Sequence, residues 1–216
     1  MATPALDPKW AKGMDVSQYQ KDIDWGRVEK SGLVHFSIVR AGAGQTIQDP
    51  YFIRNYAAVK SIGIPSGTYW FLYPKTSGPK EEAEAYVKAV ERAGGWRGWP
   101  PMADIEQEGA GDLGVDELTD WLHRHLARLE TLAGKKPVIY SNPSFLKTRI
   151  RANEFSQYEL WISHYGVTQP EIPAPWKSAR FWQYSSTGQV PGVKGHVDMN
   201  VFCGSLDELR AWCGGG

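Results

Sequence analysis

Hydrophobic positions along the chain alternate between two patterns. Short runs that are apolar at every or every second position are separated by longer runs in which apolar residues recur every three or four. The first pattern predicts strands over Gly13–Ser17, Val34–Ala41, Gly67–Tyr73, Met102–Glu106, Pro137–Ser141, Glu159–His164, Arg180–Tyr184 and His196–Phe202. The second predicts helices over Asp24–Lys30, Tyr51–Ile62, Pro79–Ala93, Val115–Ala133, Ser144–Ile150 and Leu206–Trp212. Their ends carry the expected punctuation. Pro79 suits a first helical turn, and Gly32, Gly63, Gly94-Gly95 and Gly134 follow last turns. The longest helix has its apolar stripe at Leu118, Trp121, Leu122, Leu126 and Leu129. Val34–Ala41 is apolar on both faces, as in a sheet covered on both sides.

Strands alternating with helices predict a parallel α/β sheet. About eight strands favour closure into a single irregular (β/α)-barrel, TIM-barrel-like, with full helices missing between the later strands. An open doubly wound sheet is the alternative. The 216 residues suit one domain, and no repeat, low-complexity tract or linker divides them.

Composition narrows the partners. Lys+Arg and Asp+Glu number 24 each, so no net basic charge favours nucleic acid or an anionic membrane. No stretch is long and apolar enough to span a bilayer. The N-terminus lacks the basic start and apolar run of a secretory signal, which predicts a protein made in the cytoplasm; a trimmed secreted enzyme would act outside the cell. Ten Trp and ten Tyr suit both a core and a groove that stacks on sugar rings. Cys203 and Cys213 could form a disulfide or remain thiols, and their spacing lacks a second pair for zinc.

The chemistry centres on Pro100–Gln107. On a strand, Asp104 and Glu106 share a face while Ile105 points into packing. Side-by-side carboxylates repel, which raises the proton affinity of at least one and suits a general acid. Asp15 and Asp198 also fall near strand ends, where a barrel carries its active site. Other chemistries fare poorly. Gly-x-Ser-x-Gly is absent, and Gly42-Ala43-Gly44 is followed by Ile47, so neither a hydrolase elbow nor a dinucleotide fingerprint is present. His123 and His125 are two apart on a helix and do not face a common ligand. No cofactor and no metal site is expected.

Gly13-Met14-Asp15-Val16-Ser17-Gln18-Tyr19-Gln20, Gly67-Thr68-Tyr69-Trp70-Phe71, Asp104-Ile105-Glu106, Trp182-Gln183-Tyr184 and Val197-Asp198-Met199-Asn200 together resemble, in order, the motifs of glycoside hydrolase family 25, the Chalaropsis-type lysozymes. The resemblance implies a flattened β/α barrel over residues 12–213, with a lead-in at 1–11 and a tail at 214–216. It implies an N-acetylmuramidase acting on bacterial peptidoglycan, expected to be a monomer; the lack of a secretory signal and of a wall-binding repeat suits a phage endolysin, with a trimmed bacterial autolysin or a fungal enzyme as the alternatives. Glu106 is implied as general acid, Asp104 as its partner, and Asp15 and Asp198 as the acidic floor. Tyr69, Trp70, Tyr140, Trp161, Tyr165, Trp182, Gln183 and Asn200 are the expected substrate-binding residues. Position 70 is Trp where many members carry His, and position 163 is Ser where Ala is common.

The side-by-side acids favour substrate-assisted catalysis, in which Asp104 orients the sugar's acetamido group and Glu106 protonates the leaving oxygen. Three rivals are a chitinase-like barrel, a glucosaminidase and a non-catalytic glycan-binding module. Met102 stands where the chitinase-like motif would have its first acid.

Overall fold

The computed structural model describes residues 4–214; residues 1–3 and 215–216, the outer ends of the expected lead-in and tail, lie outside the described residues. The strands are β1 (Ala11–Val16), β2 (Phe36–Ala43), β3 (Ile47–Gln48), β4 (Ser66–Phe71), β5 (Met102–Asp104), β6 (Val138–Ser141), β7 (Glu159–Ser163), β8 (Phe181–Gly188) and β9 (Val197–Phe202). The order around the sheet is β1-β9-β8-β7-β6-β5-β4-β2, with the two-residue β3 folded back on β2. Pairing of β1 with β2 closes an eight-stranded barrel, which removes the open-sheet alternative.

Seven of these strands run parallel, and β9 runs antiparallel to both β8 and β1. That corrects the all-parallel reading. No helix separates β8 from β9, so the chain turns straight back and enters the barrel from the other end.

Helices α1 (Trp25–Ser31), α2 (Phe52–Ser61), α3 (Pro79–Arg92), α4 (Gln107–Ala110), α5 (Val115–Ala133) and α6 (Pro143–Thr148) follow successive strands. Between β7 and β8 there is none, as the late-strand pattern predicted. There the outer face is covered by an irregular stretch in which Trp176 packs on the core and donates its indole N–H to the Tyr158 carbonyl at 2.9 Å. Helix α5 buries Leu118, Trp121, Leu122, His125, Leu126 and Leu129 and ends at Gly134, whose φ of 66° is left-handed. His125 is fully buried and His123 sits at the surface paired with Glu154.

Two cores result from the strand period. Outward residues such as Val39, Trp70, Ala103, Ile139, Ile162 and Trp182 pack under the helices. Inward residues Phe36, Ile38, Tyr69, Met102, Val138, Tyr140, Trp161, Phe181 and Phe202 fill the barrel. The last helix, α7 (Leu206–Gly214), stoppers the end opposite the strand tops. Its Trp212 packs on Trp99, Phe181 and Phe202 and donates to Glu159 at 2.8 Å. Phe181 lies at the centre, with the rings of Phe36, Trp99, Trp161, Phe202 and Trp212 all within 6.5 Å of it. Room for this knot comes from Gly13 and Gly67: a Cβ there would lie 2.4 Å from the rings of Phe36 and Trp99 respectively. Cys203 and Cys213 are both thiols, and burial pushes Cys203 up to about 11.

Candidate active site

Above the aromatic filling, the barrel opens into a cleft of about 330 Å³ whose wall includes Asp15, Asp104, Glu106 and Asp198. Each acid arrives differently. Asp15 is near the end of β1, and Asp198 faces it across the antiparallel β1–β9 pair. Asp198 therefore stands near the start of its strand, not near its end as a parallel barrel would require; the reversed direction of β9 brings that start to the mouth. The ladder of β5 ends at Asp104, two residues before the predicted strand end. Ile105 still donates to the Tyr140 carbonyl at 3.0 Å, and Glu106 keeps an extended backbone (φ −140°, ψ 167°). Alternation thus survives past the ladder: Ile105 is buried outward, and Asp104 and Glu106 both reach the cleft.

A directed hydrogen-bond network fixes the floor. Asp15 Oδ2 accepts from Gln183 Nε2 and from Asn200 Nδ2, each at 2.7 Å. Gln183 Oε1 in turn accepts from the hydroxyls of Tyr140 (2.8 Å) and Tyr165. Asn200 Oδ1 accepts from Trp161 Nε1 at 2.8 Å. Both amides are oriented from behind, so each has only its NH₂ to offer Asp15. Asp104 has no such support. Its Oδ1 is shut off from the cleft and has no hydrogen-bond partner, so only Oδ2 can face a ligand there.

Burial raises the proton affinity of every acid here. Asp15 is held well above the usual carboxylate range by desolvation and then by Asp198, despite its two amide donors. Asp104 is pushed well up by desolvation, then by Glu106 and Asp15. Glu106 is raised by desolvation, then by Glu108 and Asp198. Burial takes Asp198 to about 6. The cluster therefore holds protons in a pH range where isolated carboxylates have lost theirs.

One cation enters this wall. Arg40 Nε is tied to Asp49 Oδ2 at 2.9 Å, and its guanidinium lies 5.4 Å from the Tyr19 ring centroid. Asp49 also accepts from the backbone N–H groups of Gln18 (2.7 Å) and Tyr51 (3.0 Å), so the arginine is anchored to two loops. Its charge opposes the upward push on Asp104.

Of the expected substrate-binding residues, Tyr69, Tyr140, Trp161, Tyr165 and Gln183 line the cleft, and Asn200 lies directly behind it. Trp70 and Trp182 do not reach it. Strand alternation turns them outward, where Trp70 stacks on Tyr86 and donates to Gly44, and Trp182 donates to the His164 carbonyl. Sequence reasoning missed Arg40, Tyr19, Phe71 and Tyr73 in the wall. Arg40 had a readable signal: a lone charge within an apolar strand covered on both faces.

The acids carry a stability cost whose sign is fixed. A carboxyl with a raised folded pKa binds more protons folded than unfolded, so its contribution falls as pH rises from about 4 through the folded value. Asp198→Asn, which removes that charge, is expected to stabilise the protein at pH 7 by about 1–2 kcal/mol, discounted for its partial exposure. The gain shrinks as pH falls and vanishes at about pH 3, below the unfolded pKa, where the wild-type group is protonated folded and unfolded alike. Thermal unfolding at the two pH values checks it; a Tm at pH 7 no higher than wild type overturns it.

Carboxyls at a barrel mouth, their proton affinity raised by burial and then by one another, and ringed by tyrosines, define a carboxylate-dependent glycosidase. The chain belongs to the glycosyl hydrolases family 25, whose sequence profile matches residues 14–193. It is 32% identical over 215 residues to lysozyme M1 of Streptomyces globisporus, covering 95% of this chain and 72% of that one. Its fold is similar to the bacterial lysozyme from Streptomyces coelicolor, with a TM-score of 0.89 and 31% identity over 97% of this chain and 99% of the other. A family 25 glycosyl hydrolase from Bacillus anthracis superposes with a TM-score of 0.85 at 25% identity, covering 98% and 97%. No helix among the described residues is long and apolar enough to cross a membrane.

Proposed function

We propose that this glycoside hydrolase is a muramidase that cleaves the β-1,4 bond between N-acetylmuramic acid and N-acetylglucosamine in peptidoglycan, with Glu106 as general acid and Asp104 as the group that orients the 2-acetamido substituent. The observation that carries the assignment is the Asp104–Glu106 pair. Two residues apart on one extended segment, both side chains approach the sugar from the same wall. A carboxylate on that wall is badly placed to activate water on the opposite face, as inversion would require. It is well placed to hold an acetamido N–H, so that the carbonyl oxygen attacks the anomeric carbon while Glu106 protonates the departing oxygen. The cleft-facing Asp104 carboxyl oxygen, Oδ2, is the acceptor for that N–H. Glu106, deprotonated by this first step, then takes a proton from the water that opens the cyclic intermediate. Asp15 and Asp198 line the floor of the same cleft. One chain supplies every one of these groups, in keeping with a monomer.

Digestion of purified cell walls, borohydride reduction of the new ends and hydrolysis are expected to give muramitol. Glucosaminitol would reassign the bond and make the protein a glucosaminidase. Proton NMR of the fresh digest is expected to show the β anomer first, and initial release of the α anomer would sink the acetamido mechanism.

A further inference from the structure

Behind one side of the acidic cleft lies a carboxyl that the reaction does not use. Residues 72–78 join β4 to α3, and Tyr73 among them lines the cleft beside Phe71, the two ring centroids 5.2 Å apart. The turn closes on Tyr73, whose carbonyl accepts the N–H groups of Thr76 and Ser77, each at 3.0 Å. The Tyr73 N–H itself donates to Glu82 Oε1 on α3 at 3.0 Å. Next to it, the Leu72 N–H donates to the Asp104 carbonyl at 2.9 Å, which joins the turn to the strand that bears the acid pair. We propose that Glu82 is a positioning residue: while it keeps its proton it holds this side of the cleft in place, and on ionising it lets the turn open.

Its surroundings suit the neutral form. Glu82 is fully buried in the first turn of α3, and its Oε2 has no hydrogen-bond partner. Burial pushes the carboxyl from 4.5 up to about 7 against the Tyr73 N–H and the Ser77 hydroxyl, and no cation helps them. The other charged groups around the turn are spent or face elsewhere. Lys80 and Glu81 on α3 are exposed, and Lys75 pairs with Asp112 at 2.6 Å. On α5, His125 bonds the Pro79 carbonyl at 3.0 Å, and burial lowers it to about 4. Tyr73 is raised by burial and then by Glu108 on α4, with Arg40 on β2 acting against them, and burial raises Tyr86 on α3. Glu82 is therefore the group at this corner that changes charge on the way to neutral pH. A buried carboxylate without a cation gains by reaching water, and a turn yields before a helix or a ladder does. Closed, the group ionises at about 7; open, it returns to 4.5. Opening thus releases a proton over that interval, so the closed form loses ground as pH rises from 4.5, and the loss is complete above about 7.

Amide hydrogen exchange followed by nitrogen-15 NMR, with each rate divided by its intrinsic value, tests the opening. In the wild-type protein the opening at Tyr73 and Ser77 is expected to grow about tenfold per pH unit from about pH 5 to about pH 7 and then to level off. In Glu82→Gln, whose amide carbonyl accepts the same N–H and does not ionise, the profile should be flat. Amides in the middle of α5 report global unfolding. A flat wild-type profile, the same slope in the variant, or a slope no steeper than that of α5 overturns the proposal. Kinetics on soluble wall glycan supply the second part. Wild-type KM is expected to rise at least about twofold between about pH 5 and about pH 7.5, and KM of Glu82→Gln to rise by less than half as much, while the kcat decline that belongs to Glu106 stays in both. An equal rise in KM in the two proteins, or none in the wild type, overturns it. Neither part depends on which bond of the glycan is cut, so the muramitol result and this one fail separately.

Discussion

Glu106→Gln is expected to lower kcat for wall hydrolysis by about 10³-fold while leaving wall binding near its wild-type level. The amide keeps the shape and polarity of the carboxyl but has no proton to give the leaving oxygen. Clearing of a wall suspension measures the first effect, and co-sedimentation of the variant with walls measures the second. The pH dependence shares the same cause. Desolvation and Glu108 raise the Glu106 pKa, so the acid stays protonated into the pH range where an exposed Glu has ionised. Activity should decline on the alkaline side as that raised value is passed, and the decline should be absent from the residual rate of the variant. Retention of more than about a tenth of wild-type clearing would remove Glu106 from the acid role.

Phe181→Ala is expected to cost about 3–5 kcal/mol of stability, among the largest penalties for a single truncation in this chain. Phe181 is fully buried, and five aromatic rings surround it. Two of them, Trp99 and Trp212, come from outside the strands, so the cavity left behind would loosen the barrel filling and the α7 stopper together. Urea unfolding reads the loss directly. A penalty below about 1.5 kcal/mol would mean that the surrounding rings collapse into the space, and the knot would not be the rigid base described above.

Much of the barrel was legible in the sequence because its elements are locally consistent. Helix α5 declares itself through a five-residue apolar stripe and a terminal Gly134, and tertiary packing has nothing to override. The acid pair was legible for the same reason, since two-residue alternation holds whether or not the ladder continues to Glu106. Two aromatic assignments failed under that rule. With Tyr69 facing inward, Trp70 must face the helices, and Gln183 facing inward likewise excludes Trp182 from the cleft. Strand direction is a different matter. Apolar alternation reads the same forwards and backwards, so nothing in Val197–Phe202 announces that β9 runs against its neighbours. Arg40 was visible as a charge out of place, but its meaning depends on Asp49, which approaches only when β3 folds back on β2.

The reversed β9 also dictates when the site comes into being. Asp15 and the Asn200 that steadies it are 185 residues apart in the chain, and Asp198 meets Asp15 only when the last strand slots between the first and the eighth. A ribosome-bound chain from which every other strand has emerged still has a gap in its wall and lacks half its acidic floor. Such long-range closure is late by nature, because the ordering entropy is spent before the contacts form. Completion of the acidic floor is thus tied to completion of the barrel, and a copy lacking β9 has neither Asp198 nor the Asn200 that holds Asp15.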